Sequence, residues 1–224
     1  MRKSHRSGSP ALFFNSRMRL GSLYTEQYRT IRSNLDILQK STPFKSLLIT
    51  SPGSGEGKST VAMNLAVLMA KQSYRVLLID ADVVHSGIHE SFSLDNHEGL
   101  IDVLEKNRTL VSLVKETSIN HLSVLTRGQA DPDTADWIKM ERLSEMMQEA
   151  SDHFDRVIVD SAPVLSNSST PLFANVCDGT IMVTKTKVTT KESIRAASEK
   201  LVHANANFFG VILNDYPMKK RSLA

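Results

Sequence analysis

Residues 47–60 read Leu-Leu-Ile-Thr-Ser-Pro-Gly-Ser-Gly-Glu-Gly-Lys-Ser-Thr, an apolar run followed by a glycine-rich segment. This order predicts a buried strand, a loop and the start of a helix, which is the setting of a phosphate-binding loop. Glycines let successive backbone N–H groups converge on phosphate oxygens, and a helix that begins near Lys58 directs the positive end of its dipole at them. We therefore expect the phosphates of a nucleotide to bind here.

The side chains of the loop have distinct predicted roles. Lys58 adds a mobile cation, and the Ser59 hydroxyl is placed to ligate Mg²⁺. The pattern G-x-x-x-x-G-K-S/T asks for glycine at position 52, where this chain has Pro52, but the rest of the pattern is intact. By itself the loop leaves open a plain glycine turn between a strand and a helix. The predicted nucleotide-binding set is Gly53, Ser54, Gly55, Glu56, Gly57, Lys58, Ser59 and Thr60.

Two more apolar runs end in carboxylates. Residues 76–79 lead into Asp80-Ala81-Asp82, and residues 157–159 lead into Asp160, the form expected of a Walker B carboxylate that holds the water shell of Mg²⁺. The carboxyl ends of parallel strands meet at one edge of a sheet, where a metal and a reacting hydroxyl would lie. One of the first two carboxylates can then approach the metal while the other accepts a proton. Acidic residues in a surface turn are the alternative.

The remaining pattern predicts strands that alternate with helices. This alternation indicates an α/β fold of the P-loop NTPase type, a mainly parallel sheet flanked by helices with the nucleotide along its carboxyl edge. Further strands are predicted at residues 121–125, 181–184 and 209–214, and helices at 61–72, 134–153 and 191–203, with short helices within 87–118.

Length and composition fit one domain in a reducing compartment. The 224 residues, of which 41% are hydrophobic, can bury a substantial core. No run approaches the ~18 apolar residues of a membrane span, and the N-terminus lacks the apolar core of a signal peptide. A single cysteine, Cys177, excludes an internal disulfide. We expect a cytosolic protein.

Positive charge is concentrated at the two ends of the chain. The net charge is +3, but residues 1–32 hold seven Lys/Arg against one acidic residue and residues 216–224 hold three against none. Basic ends on an acidic body do not favour a nucleic-acid-binding face. We expect a flexible basic arm over residues 1–21, a P-loop domain over 22–215 and a short basic tail over 216–224.

An amphipathic helix is predicted before the first strand, at residues 23–40. Three charged residues, Glu26, Arg29 and Arg32, are spaced three apart and so share one side of this helix. They form either an exposed ion pair of little energetic value or a charged face that docks on another copy of the protein.

Four features together resemble the bacterial tyrosine kinases that govern capsule and exopolysaccharide synthesis. The likeness covers roughly residues 22–215, and the first feature separates this family from other ATPases of the same fold. The features are Glu26-x-x-Arg29-x-x-Arg32, Gly55-Glu56-Gly57-Lys58-Ser59, Leu78-Ile79-Asp80-Ala81-Asp82 and Val157-Ile158-Val159-Asp160-x-x-Pro163.

The resemblance implies an ATP-dependent protein-tyrosine kinase that uses Mg²⁺ and assembles, through the charged helix, into a ring that is often an octamer. It implies a cytosolic chain that is recruited to the inner face of the cell membrane by a separate membrane-spanning, chain-length-determinant-like adaptor, which also stimulates it. Its substrates would be tyrosines on partner proteins. The implied roles are phosphate and metal binding by Lys58 and Ser59, activation of the tyrosine hydroxyl by Asp80, metal binding by Asp82 and Asp160, and adenine contact by Asn214 and Asp215.

Two departures from the family pattern bear on function. After Asp82 the family usually has a leucine-arginine pair and a proline, whereas this chain has Val83-Val84-His85-Ser86, so a basic residue near the phosphates is missing. The family commonly ends in a tyrosine cluster, but Tyr216 is the only tyrosine near this C-terminus. Tyr216 is either a phosphoacceptor or, as we expect, a buried packing residue beside the adenine site, with weak autophosphorylation as the result.

Two other functions fit parts of the pattern. A partition or septum-placement ATPase shares the fold, but it would carry a signature lysine where this chain has Gly53. An ATP-bound scaffold of a polysaccharide export complex, with little kinase activity, is the second alternative. For the kinase, we expect Lys58→Met to abolish phosphorylation and to leave the fold intact, because Lys58 should lie on a solvent-accessible loop.

Overall fold

A seven-stranded sheet runs through the computed structural model, which describes residues 23–83, 85, 87–106, 108–129 and 138–216. The strand order is β3-β4-β2-β5-β1-β6-β7, and all neighbours are parallel except β3, which runs antiparallel to β4. This confirms the predicted mainly parallel sheet. The strands are β1 Ser46–Thr50, β2 Val76–Ala81, β3 Lys115–Glu116, β4 Leu122–Leu125, β5 Arg156–Ser161, β6 Gly179–Lys185 and β7 Phe208–Asn214.

Helices cover both faces of the sheet. Since side chains alternate along a strand, Leu47 and Ile49 pack into a core with the first two helices, whereas Leu48 packs into a second core on the opposite face. Central strands buried on both faces read as continuous apolar runs, which is why they were visible in the sequence. The helices are α1 Leu23–Ser41, α2 Lys58–Ala70, α3 Ile88–Phe92, α4 Leu100–Glu105, α5 Leu110–Leu113, α6 Met140–His153, α7 Ser169–Val176 and α8 Lys191–His203.

The strand order places the predicted site at one edge of the sheet. β1, which leads into the phosphate loop, lies between β5 and β6, and β5 also pairs with β2. In the register of β2 and β5, Asp80 lies directly opposite Asp160. The ends of β2 and β5 therefore bring two of the predicted carboxylates together next to the phosphate loop.

Three elements differ from the sequence prediction. α6 was predicted to begin at residue 134; residues 134–137 lie outside the described part, and Lys139 has an extended backbone, so the helix begins only at Met140. β3 was missed because two residues cannot show a period of two. α7 was also missed, since its eight residues begin with Ser169-Thr170-Pro171 and show only two turns of helical spacing.

Some predictions fall on residues that the structure does not describe. These are the basic arm at 1–21, Val84 and Ser86, and the tail beyond Tyr216. Among the described helices, none is both long enough and apolar enough to cross a membrane.

Candidate functional site

The phosphate loop joins β1 to α2 in a conformation that requires glycine at two positions. Gly55 and Gly57 have φ angles of 74° and 95°, in the left-handed region. Gly57 is also the N-cap residue of α2, and a Cβ at this position would lie 2.1 Å from Asn214 Nδ2. The backbone therefore curls at the N-terminus of α2, where N–H groups that lack helical partners and the helix dipole favour an anion.

Glu56 stabilises the conformation of the phosphate loop through its hydrogen bonds. Its side chain is buried; one carboxylate oxygen accepts a hydrogen bond from the backbone N–H of Gly53 at 2.8 Å, and the other accepts one from the Thr189 hydroxyl. The Asn214 amide donates to the backbone carbonyl of Glu56 at 3.0 Å. The predicted contact of Glu56 with nucleotide stays a prediction, while Ser54, Gly55 and Thr60 are exposed and accessible to a ligand.

Three carboxylates come together at the end of β2 and β5. Asp80 and Asp82 are fully buried, and Asp160 is 1% exposed. The backbone N–H of Asp82 donates to Asp80 Oδ1 at 3.3 Å, and Asp82 Oδ1 accepts from the backbone N–H of His85 at 2.9 Å. The turn that follows β2 thus fixes Asp82 beside Asp80, and the alternative of acidic residues in a surface turn is wrong.

Lys58 is the cation of this carboxylate cluster. Its Nζ lies 2.5 Å from Asp82 Oδ2, and the two side chains are 10% and 0% exposed. The expectation that Lys58 lies on a solvent-accessible loop is therefore wrong: α2 begins at Lys58, and the side chain turns across the sheet edge onto Asp82. Within the described residues, the ion pair of Lys58 with Asp82 thus lies beside two further buried carboxylates, Asp80 and Asp160.

The electrostatics of Asp160 fit a bound divalent cation. Burial, together with the charges of Asp80 and Asp82, raises the pKa of Asp160 to about 7, against the opposing effects of Lys58 and a hydrogen bond from Ser59. Its Oδ1 atom is buried and has no hydrogen-bond partner among the described residues. A cation at this position would satisfy that oxygen and favour the charged carboxylate.

The donor set suits Mg²⁺ bound together with phosphate rather than a metal held by protein alone. Within the described residues, no group of three or more histidine, cysteine, aspartate or glutamate side chains is arranged to hold a metal ion. Mg²⁺ in nucleotide sites usually takes one or two carboxylates, phosphate oxygens and water. Ser59, Asp82 and Asp160 can supply the protein share of such a shell.

The predicted adenine residues lie at the end of β7, on the other side of the loop. Asn214 contacts the phosphate loop through Glu56 and also accepts, through its side-chain oxygen, from the backbone N–H of Asp215 at 2.9 Å. Asp215 has a φ of 54° and lies 3.2 Å from Lys185 in an ion pair. Tyr216 is 61% exposed, so the expectation that it is buried is wrong; β7 is an edge strand, and nothing in the described residues covers the chain after it leaves the sheet.

The charged residues of α1 are away from the carboxylates. Arg29 and Glu26 form an ion pair at 2.6 Å that is largely exposed. Arg32 is 25% exposed, its Nε lies 3.5 Å from Asp36, and that nitrogen has no hydrogen-bond partner among the described residues. This geometry is compatible with both readings of the helix, an exposed ion pair and a docking face.

Thr189 is a residue of the site that the sequence did not reveal. It lies between β6 and α8, 133 positions from Glu56, yet its hydroxyl donates to the Glu56 carboxylate and accepts from the backbone N–H of Lys185. A single threonine in a polar segment carries no pattern by which such a contact is detected.

Comparisons with known proteins show the family of this chain. The CobQ/CobB/MinD/ParA nucleotide binding domain family matches residues 47–223. The tyrosine-protein kinase YwqD of Bacillus subtilis (strain 168) is 39% identical over 201 residues, which are 90% of this chain and 85% of that protein.

Solved structures superpose closely on this chain. The chimerical protein CapA2B2 superposes with a TM-score of 0.83 at 29% identity, covering 91% of this chain and 90% of that one. The kinase domain of the Escherichia coli tyrosine kinase ETK superposes with a TM-score of 0.84 at 26% identity, covering 94% and 84%.

Proposed function

This chain belongs to the bacterial tyrosine kinases of the CobQ/CobB/MinD/ParA nucleotide-binding family, and we propose that it transfers the terminal phosphoryl group of Mg-ATP to tyrosines of partner proteins. It is a protein-tyrosine kinase. The observation that carries the proposal is the cluster of three buried carboxylates, Asp80, Asp82 and Asp160, directly beside Lys58 at the phosphate loop. Phosphoryl transfer needs mainly positioning and charge neutralisation, which such a cluster provides without the loops of other kinases.

Each residue of the site has a separate role. The loop N–H groups and Lys58 bind the phosphates, and Ser59, Asp82 and Asp160 hold Mg²⁺. When bound, Mg²⁺ supplies the positive charge that the excess of carboxylates requires. Asp80 accepts the proton of the tyrosine hydroxyl as its oxygen bonds to the terminal phosphorus, and the bond from that phosphorus to ADP breaks.

The binding of phosphates requires Lys58 to change partners. In the structure its ammonium group is paired with Asp82. Negative phosphate oxygens at the loop compete for this cation, and Asp82 would then be available as one of the residues that hold Mg²⁺. Phosphate binding at the loop would therefore make the Asp82 carboxylate accessible to Mg²⁺.

Adenine recognition is assigned to the end of β7. Asn214 and Asp215 would contact the base, and the hydrogen bond from Asn214 to the loop carbonyl of Glu56 supports this assignment because it joins the two parts of the nucleotide site. Thr189, which follows β6, also stabilises the loop through its hydrogen bond to Glu56.

The protein would form a ring and act at the membrane. Glu26, Arg29 and Arg32 of one copy would dock on a neighbour, and a repeated heterologous contact closes into a ring, of which an octamer is one form. A membrane-spanning, chain-length-determinant-like adaptor would bring the kinase from the cytoplasm to the inner face of the membrane and stimulate it. Its output would be control of capsule, exopolysaccharide and biofilm formation.

One experiment tests the central proposal. The full-length protein is incubated with labelled ATP, Mg²⁺, a tyrosine-containing protein substrate and the cytoplasmic tail of the adaptor, and the phosphoamino acids are analysed. Phosphotyrosine on the added substrate is expected. Nucleotide binding with no transfer to tyrosine would instead favour the scaffold, and ATP hydrolysis without transfer would favour a partition-type ATPase.

A further inference from the structure

Arg127 lies at the site edge but has no role in the activity described so far. It follows β4, two residues beyond Leu125, and the register of β4 with β2 pairs Leu125 with Ile79. Extending that register brings Arg127 level with Ala81, immediately before Asp82. The residue therefore occupies the same carboxyl edge as the carboxylates, on the side of β2 that faces away from the phosphate loop.

Both the backbone and the guanidinium of Arg127 are held in place. Its backbone carbonyl accepts from the N–H of Ile101, at the start of α4, at 3.1 Å. Its Nη1 donates to the backbone carbonyl of Val83 at 2.9 Å, and its Nε donates to the carbonyl of Gly128 at 3.2 Å. The charge is thus fixed one residue past Asp82 with little side-chain entropy left to lose on binding.

Within the part of the chain that the structure describes, Arg127 forms no direct ion pair. All its recorded acceptors are backbone carbonyls, and no carboxylate of the described residues forms an ion pair with it. Arginine has five N–H donors, of which these two bonds use two. A partly buried guanidinium with donors to spare is suited to a carboxylate or phosphate oxygen.

The sheet order decides between those two anions. β2 and β5 lie between β1 and β4, so the ends of β1 and β4 are about 14 Å apart at a spacing of about 4.8 Å per strand. Lys58 reaches Asp82 from the side of β1, whereas Arg127 reaches Val83 from the side of β4. A phosphate held by the loop is on the first side. An acceptor tyrosine that meets Asp80 has its flanking residues free to lie on the second side.

We infer that Arg127 is a specificity-determining residue that binds a carboxylate next to the acceptor tyrosine of the substrate, so that this kinase favours acidic peptides. The inference rests on the proposed kinase function and names the substrate class of that same site. Residues Val83-Val84-His85-Ser86, which follow β2 at this edge of the sheet, contain no arginine or lysine. Arg127 would supply a cation there.

The test compares two peptides that differ only in charge. Each has one tyrosine, flanked by glutamates in one peptide and by glutamines in the other, and kcat/KM is measured with the full-length protein and Mg-ATP. The wild type is expected to favour the glutamate peptide by about fivefold to tenfold, as for a partly desolvated charge-assisted contact. Arg127→Gln is expected to lose this preference by weakening only the glutamate peptide.

Two further variants test whether the preference depends on the shape of the guanidinium and on its position. Arg127→Lys keeps the charge but not the planar fork, so an intermediate preference is expected. Arg195→Gln is the matched control, because Arg195 is an 83% exposed arginine of α8 whose ion pair is with Glu199 of the same helix. It should behave as the wild type with both peptides.

Binding measurements separate this inference from its alternatives. Affinity for a fluorescent ADP analogue should be unchanged in Arg127→Gln; a clear loss would mean that the anion is a phosphate and would overturn the inference. Equal loss of kcat/KM for both peptides, with normal nucleotide affinity, would mean that Arg127 only positions Asp82 and would overturn it as well.

A failure of the proposed function gives a different result. If the wild type phosphorylates neither peptide, peptide binding is measured by fluorescence anisotropy with a non-hydrolysable ATP analogue. Tighter binding of the glutamate peptide that disappears in Arg127→Gln would support the inference without any transfer. Equal binding of the two peptides by the wild type would overturn it.

Discussion

Replacing Lys58 by methionine is expected to lower the stability of the nucleotide-free protein as well as its activity. The variant leaves the fully buried carboxylate of Asp82 without its cation, next to Asp80 and Asp160. Removing one partner of a buried ion pair costs about 3–5 kcal/mol. We expect the lower end, about 3 kcal/mol, because the carboxylate cluster can take up a proton at Asp160, whose pKa burial raises to about 7. For a chain of this size, that corresponds to a fall in Tm of about 6–12 °C.

Thermal and urea unfolding of the full-length protein at about pH 8, in EDTA and without nucleotide, measure this loss. Lys58→Met/Asp82→Asn should recover part of it, since the carboxylate that pairs directly with Lys58 is then removed together with the lysine. Lys106→Met is the matched control. Lys106 also pairs with a buried aspartate, Asp102, at 2.7 Å, but it is 67% exposed, so water can replace it and a much smaller loss is expected.

The pH dependence of the loss provides an internal check. Burial raises the pKa of Asp160 to about 7 against the opposing charge of Lys58, so removing Lys58 raises this pKa further. The folded variant then binds more protons than the unfolded chain in the range between the unfolded and the folded pKa values. Its stability then rises as the pH falls, and the deficit relative to the wild type should shrink between about pH 8 and pH 5. A Tm within about 2 °C of the wild type at the higher pH would refute the reasoning, because the ion pair would then contribute nothing.

Two further variants and one measurement on the wild type test separate parts of the protein. Asp80→Ala should lower the rate of tyrosine phosphorylation by at least about a hundredfold while a fluorescent nucleotide still binds, since it removes the base and not the loop; full activity would place the base elsewhere. Replacing Glu26, Arg29 and Arg32 together by alanine should reduce the mass seen by light scattering, and a wild type that is already monomeric at tens of micromolar would contradict the ring. Tyr216 should carry only trace phosphotyrosine by mass spectrometry after incubation with ATP and Mg²⁺, not because it is buried but because two residues after β7 reach only about 7 Å. Near-complete phosphorylation there would be the opposite result.

Local patterns in the sequence were enough to predict the phosphate loop and the strands that carry the carboxylates. A central parallel strand is buried on both faces and therefore appears as an unbroken apolar run, as in Leu47-Leu48-Ile49. Gly57 could be predicted for a similar reason, because a left-handed backbone at the start of a helix excludes most other residues. These features depend on neighbours in the chain, so the order of residue types determines them.

Only the tertiary structure decided which of these residues meet and with what charge. The contacts of Lys58 with Asp82, Arg127 with Val83 and Thr189 with Glu56 join residues that are 24, 44 and 133 positions apart. Each depends on the order of the strands in the sheet, and no local period encodes that order. Burial has the same origin. Lys58 was expected on an open loop but is buried, and Tyr216 was expected in a covered position but is exposed. The exposure of a residue is set by the elements that pack over it and not by its own neighbours in sequence.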